Sequence, residues 1–157
     1  MMNQTIMTKL ISQPAKLDST VNCAFTLKEI LKEMNCTSGT IHCYDTEEKM
    51  LTLLALDGIP PQLLEKVIRI PLGKGIAGTA AETKDIVHIC NLQTDDSGIS
   101  KPDAKLTEVA GSVAVPILVD GELKGTLGIG KHLPYDFNED EIEQLWEISH
   151  WLGKSIK

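Results

Sequence analysis

The chain has 157 residues, of which 42% are hydrophobic and 24% charged, and a formal net charge of −7. That length suits one domain with a sizeable core, and the composition requires neither disorder nor a membrane span. The 15 basic residues are scattered among 22 acidic ones, which disfavours binding to a phosphate backbone and makes nucleic acid an unexpected partner. Met1-Met2-Asn3-Gln4-Thr5 is no basic leader, and polar residues interrupt Ile6, Met7, Leu10 and Ile11, so a cytoplasmic location is expected.

Residues 1–16 read as an N-terminal extension and 17–157 as the domain. From Asp18 to Cys36, Val21, Ala24, Leu27, Leu31 and Met34 recur at helical spacing, with Asp18 or Ser19 available as a cap. Gly39 releases the chain into a strand, Thr40 to Tyr44. A polar turn then leads into a second strand, Met50 to Leu56, so the two form a hairpin. Asp57-Gly58-Ile59-Pro60-Pro61 turns the chain. One helical turn is expected over Gln62 to Lys66, and an extended segment over Val67 to Ile70.

Gly73-Lys74-Gly75-Ile76-Ala77-Gly78 formally matches G-x-G-x-x-G. A dinucleotide site needs a buried parallel strand before that motif and a long helix after it. Here Pro71 cannot donate to a central ladder, and the helix has room only from about Ile76 to Glu82. The glycines are therefore read as backbone devices at a strand-to-helix corner, where amides can face a ligand. Ile86 to Cys90 is a further strand. Asn91 to Lys105 is polar, turn-rich and long, a candidate binding loop.

Ser112 to Leu118 and Leu123 to Gly130 flank Asp120-Gly121, the residue pair a type I′ hairpin demands, so the sheet is antiparallel. Asn138-Glu139-Asp140-Glu141 is a capping box with Phe137 as a staple for Ile142. Ile142, Leu145, Trp146, Ser149 and Leu152 then form one face of a closing helix, with Trp151 off that stripe. The four cysteines, Cys23, Cys36, Cys43 and Cys90, form no C-x-x-C pair and are expected to be mostly buried free thiols. His42, His88, His132 and His150 are scattered, and no metal site is expected.

Helix, hairpin, short strand, glycine corner, strand, loop, hairpin and helix together make one α+β domain. Ile70 to Gly78, Ser112 to Ile117 with Gly125-Thr126-Leu127-Gly128-Ile129, and Phe137 to Glu141 together resemble a GAF domain over roughly Asp18 to Ile156. GAF domains are small-molecule sensing modules related in architecture to PAS domains. The resemblance implies a six-stranded antiparallel sheet, terminal helices on one face and a ligand pocket on the other. The glycine corner and the long loop would roof that pocket.

Strand alternation then gives a floor of Ser112, Ala114, Thr126 and Gly128, with His42 and Tyr44 as polar fingers. Gly75, Ile76 and Ala77 belong to the roof, and His88, Cys90 and Asn91 to the mouth. The competing reading is that Ile76, Ala80 and Leu92 fill this space as core.

The resemblance extends in layout to the free methionine-(R)-sulfoxide reductases, a catalytic branch of the family. That branch carries a cysteine where this chain has Ala77, a catalytic cysteine in a loop that here, from Asn91 to Ala110, has none, and acidic residues at the positions of Ser112, Gly128 and Gly130. Cys90 is the residue on which an enzyme reading depends. The chain also lacks the elements of tetrapyrrole attachment seen in phytochromes.

The expected function is a sensor module that binds an unidentified small ligand and acts on a signalling protein in trans. It is expected to work as a homodimer, with Val21 and Trp151 at the interface. Two alternatives stand beside it, a methionine sulfoxide reductase and a purely structural dimerisation module. The sequence names no cofactor.

Overall fold

The computed structural model describes residues 20–91 and 110–155, the side chains of residues 20–22 and 155 excepted. Helix α1 (Thr20–Met34) leads into β1 (Ser38–Asp45) and β2 (Met50–Asp57). A 3₁₀ turn (Pro61–Leu63), α2 (Leu64–Ile68), β3 (Arg69–Pro71), α3 (Gly75–Thr83) and β4 (Val87–Ile89) follow. Then come β5 (Ser112–Val119), β6 (Glu122–Gly130) and α4 (Glu139–Ser155).

The six strands form one sheet in the order β3-β2-β1-β6-β5-β4. Every pairing is antiparallel. The expected GAF-like α+β architecture is therefore the observed one. The glycine motif follows an antiparallel edge strand, so it lacks the parallel strand a dinucleotide site requires. Val67 and Ile68, expected in the extended segment, belong to α2 instead. Pro61 supplies the fixed φ that starts a helical turn, and the chain continues from that turn into α2.

Turn chemistry explains the hairpins. Asp45 Oδ1 accepts from the amides of Glu47 and Glu48 at 3.0 and 3.2 Å, closing the β1–β2 turn. Asp120 and Gly121 both adopt positive φ, 52° and 80°, as the type I′ turn between β5 and β6 demands. Pro116 is tolerated inside β5 because β4 pairs only with Ser112, Val113 and Ala114. Beyond them that edge of β5 needs no ladder donor.

One face of the sheet carries α1 and α4. Leu27, Ile30, Leu31 and Met34 from α1 meet Ile41, Val113, Val115, Ile117, Leu127 and Ile129 from the strands, and Leu145, Ile148 and Leu152 from α4. Ile148, absent from the expected stripe, is fully buried, and Trp146 and Trp151 are both half-buried against this core. The capping box forms as the sequence implies. Asn138 Oδ1 accepts from the Glu141 amide at 2.9 Å, and Glu141 Oε1 accepts from the Asn138 amide at 2.9 Å. Phe137 is buried in the same core, against which Ile142 packs.

Lys131 fastens the two helices. Its Nζ donates to the carbonyls of Met34 and Asn35 at the end of α1 and stands 4.4 Å from the Tyr135 ring centroid. Tyr135 in turn donates to the Glu141 carboxylate at 2.7 Å. Asn138→Ala removes one of the two reciprocal cap bonds without touching the core. It is expected to lower unfolding stability by about 1 kcal/mol, read as a lower urea midpoint at unchanged slope.

Candidate functional site

The other face of the sheet carries a cavity of about 650 Å³. Its floor follows from period-two alternation across three neighbouring strands. Ser38 pairs with Gly130 and Gly130 with Ser112. Thr40 pairs with Gly128 and Gly128 with Ala114. Ser38, Thr40, Ser112, Ala114, Gly128 and Gly130 all line the cavity. Glycine at 128 matters because a Cβ there would meet only the Thr40 hydroxyl at 3.5 Å and the Val113 carbonyl at 3.9 Å. A longer side chain would extend into the open volume.

The walls come from the segment between β2 and α3. Leu63, Val67, Ile70, Pro71, Ile76 and Ala77 give them an apolar surface, and Glu65, Lys66, Arg69 and Lys74 add charge. The glycine corner is held by two bonds at Gly78, whose carbonyl accepts from the Gly73 amide at 2.8 Å and whose amide donates to the Lys74 carbonyl at 3.0 Å. Gly73 and Gly75 take positive φ, 84° and 66°. A Cβ at Gly78 would strike the Pro71 carbonyl at 2.6 Å, so the corner closes only on glycine there.

His42 ties floor to wall. Its Nε2 lies 2.7 Å from the carbonyl of Val67 in α2. A carbonyl only accepts, so Nε2 carries the proton and Nδ1 is left as the acceptor. The ring is fully buried, and among the described residues neither Nδ1 nor the neighbouring Thr126 hydroxyl has a partner. An unmade bond of this kind costs about 1–3 kcal/mol. Burial pushes the imidazole pKa below its ordinary value of 6.5, opposed by the bond to Val67. No residue of α2 itself is buried, and this bond ties that helix to the sheet over the cavity.

Of the residues singled out in the sequence, His42, Gly75, Ile76, Ala77, Ser112, Ala114 and Gly128 come together on the cavity wall. Tyr44, His88, Cys90, Asn91 and Thr126 do not. Tyr44 lies beyond a register shift at Ile41/His42, near the β1–β2 turn, and Thr126 is fully buried beside His42. His88 and Cys90 are exposed at the β4 edge. Leu92 and the remainder of the long loop fall outside the described residues.

Cys90 corrects the expectation of buried thiols, which holds fully only for Cys23. Cys36 and Cys43 pack against the helix-side core, and burial raises both thiols, Cys36 to about 11. All four cysteines are described, and none lines the cavity. Among the described residues no group of His, Cys, Asp and Glu could hold a metal. No helix there is long and apolar enough to cross a membrane. Sequence reading missed Ser38, Thr40 and the cations Lys66, Arg69 and Lys74.

Known proteins agree with this geometry. A sequence profile of the GAF domain matches residues 23–156. YtsP of Bacillus subtilis (strain 168) is 27% identical over 110 residues, which make up 70% of this chain and 62% of that relative's length. The GAF domain of a phosphoenolpyruvate-protein phosphotransferase from Coxiella burnetii superposes with a TM-score of 0.82 at 19% identity, covering 98% of this chain and 89% of that one. The free methionine-R-sulfoxide reductase of Neisseria meningitidis, solved with its substrate, gives 0.78 at 20% identity over 96% and 83%. At such identities the superpositions speak for the fold alone.

The depressed His42 pKa has a definite sign. Below pH 6.5 the unfolded chain takes up a proton that folded His42 refuses, so stability falls as the pH drops from 6.5 toward the folded pKa and is unaffected above 6.5. Urea midpoints measured from about pH 8 to 5 are expected to fall along that limb, and His42→Gln to flatten it.

Proposed function

This chain belongs to the GAF domain family, and on that premise we propose that it is a sensor module. It binds a small ligand in the cavity and passes the change through α1 and α4 to another chain. The observation that carries this reading is the cavity itself, floored by small and hydroxyl-bearing residues on the sheet face opposite those helices. A pocket of this volume with apolar walls and a few convergent polar groups is the usual form of a small-molecule site.

The reductase alternative needs a thiolate at the ligand. The cavity wall offers none, and Cys90 stands exposed elsewhere. On the helix side, Trp146 and Trp151 flank a shallow groove with Glu143, Glu147, His150 and Lys154. That groove supports Trp151 as part of a homodimer contact. Val21 belongs to the same proposal, its side chain lying outside the described residues.

Native mass spectrometry of freshly purified protein tests ligand and subunit count together, and a retained small mass on a dimer is the expected result. Gly128→Leu is expected to abolish retention and any ligand-induced rise in Tm. Cys90→Ser is expected to leave both intact. No thiol-dependent reduction of free methionine sulfoxide is expected from either variant or from the wild type. Reduction by the wild type that is lost in Cys90→Ser would put the enzyme reading first.

A further inference from the structure

We propose that the cavity accepts a small organic acid, its carboxylate at the amino end of α3 and its largely apolar body, carrying one N–H or O–H group, over the β1–β6–β5 floor. This rests on the ligand-binding reading above and adds the chemistry of the ligand. Charge is the first argument. Among the described residues, the charged side chains lining the cavity are the cations Lys66, Arg69 and Lys74 and the carboxylate Glu65, in a chain whose net charge is −7. Among the described residues this lining carries a positive excess, and such a concentration steers anions inward.

Backbone geometry is the second argument. Helix α3 starts at Gly75 with no side-chain cap. The Gly78 amide donates to the Lys74 carbonyl, while the amides of Gly75, Ile76 and Ala77 donate to no backbone acceptor among the described residues. Those three residues line the cavity, and the space over Gly75 is open, with nothing within 4 Å of a Cβ position. Free amides at the positive end of a helix are matched by a carboxylate.

The floor supplies an independent sign. Among the described residues no carboxylate stands on it, so an ammonium group would be desolvated there without a partner. His42 is itself part of the cavity lining, fully buried, with Nδ1 an acceptor that no described group satisfies. A ligand N–H or O–H that reaches Nδ1 relieves that acceptor.

Indole-3-acetate, its N-methyl analogue and tryptamine differ by one feature each and serve as probes, with affinities read from NMR titration of the intact chain. The acid is expected to bind about tenfold more tightly than the amine, with N-methylation weakening it. Arg69 and Lys74 are exposed, so Arg69→Gln/Lys74→Gln is expected to keep the wild-type Tm while erasing most of the acid preference. Equal binding of acid and amine, or a preference that survives in the double variant, overturns the acid assignment alone, provided Gly128→Leu abolishes the binding. Equal binding of the N-methyl analogue removes His42 from the assignment. If no probe binds and no mass is retained on purification, the ligand-binding reading falls as well.

Discussion

The antiparallel ladder of β1, β6 and β5 is the constraint on which the rest depends, because it sends successive side chains to opposite faces. Ile41, Leu127, Ile129, Val113, Val115 and Ile117 all fall on one side, and two amphipathic helices exist to cover them. The residues between them are short or polar, so the opposite face cannot pack to the same density. It is left as a cavity rather than a second core. A one-residue slip in β6 would exchange Leu127 and Ile129 for Gly128 and Gly130, losing the core and filling the cavity together. The paired hydroxyls and glycines therefore record the register as firmly as the core does.

Polar contacts fix the positions of elements that hydrophobic contact alone leaves loose. Lys131 reaches the carbonyls ending α1 and stacks against Tyr135, whose hydroxyl engages the carboxylate of the α4 capping box. One cation thus sets the spacing between the end of the first helix and the start of the last. On the cavity side the bond from His42 to Val67 helps to place α2. Lys84, in a left-handed conformation at the end of α3, donates to the Gly121 carbonyl at 3.0 Å and ties that helix to the β5–β6 turn.

What could be read from the sequence was whatever is local. The Asp120-Gly121 turn and the Asn138 to Glu141 box involve residues within a few positions of one another, and both form as the chemistry demands. Alternation along a strand is also local, which is why Ala114, Gly128 and Ser112 could be assigned to one face. Ser38 was within reach of the same reasoning: it shares parity with His42, but the strand was started two residues too late. The walls were not legible. That Arg69 and Lys74 stand at the cavity, or that Val67 meets His42, depends on how residues 58–74 fold back over β1. No spacing in the sequence encodes that path. Cys90 illustrates the same limit, because its exposure is decided by β4 being an edge strand, a property of sheet order rather than of residue type.

Gly153 has a mechanical consequence. A Cβ there would stand 2.7 Å from a Val119 methyl and 3.1 Å from an Ile117 methyl, so the backbone of α4 rests directly on the side chains of β5. The same strand presents Ser112 and Ala114 to the cavity. The cavity floor and α4 thus lie against opposite faces of the same strand. Any side chain larger than glycine at 153 would therefore push α4 off β5, so the seat of the closing helix and the line of the strand that floors the cavity are set by one missing methyl group.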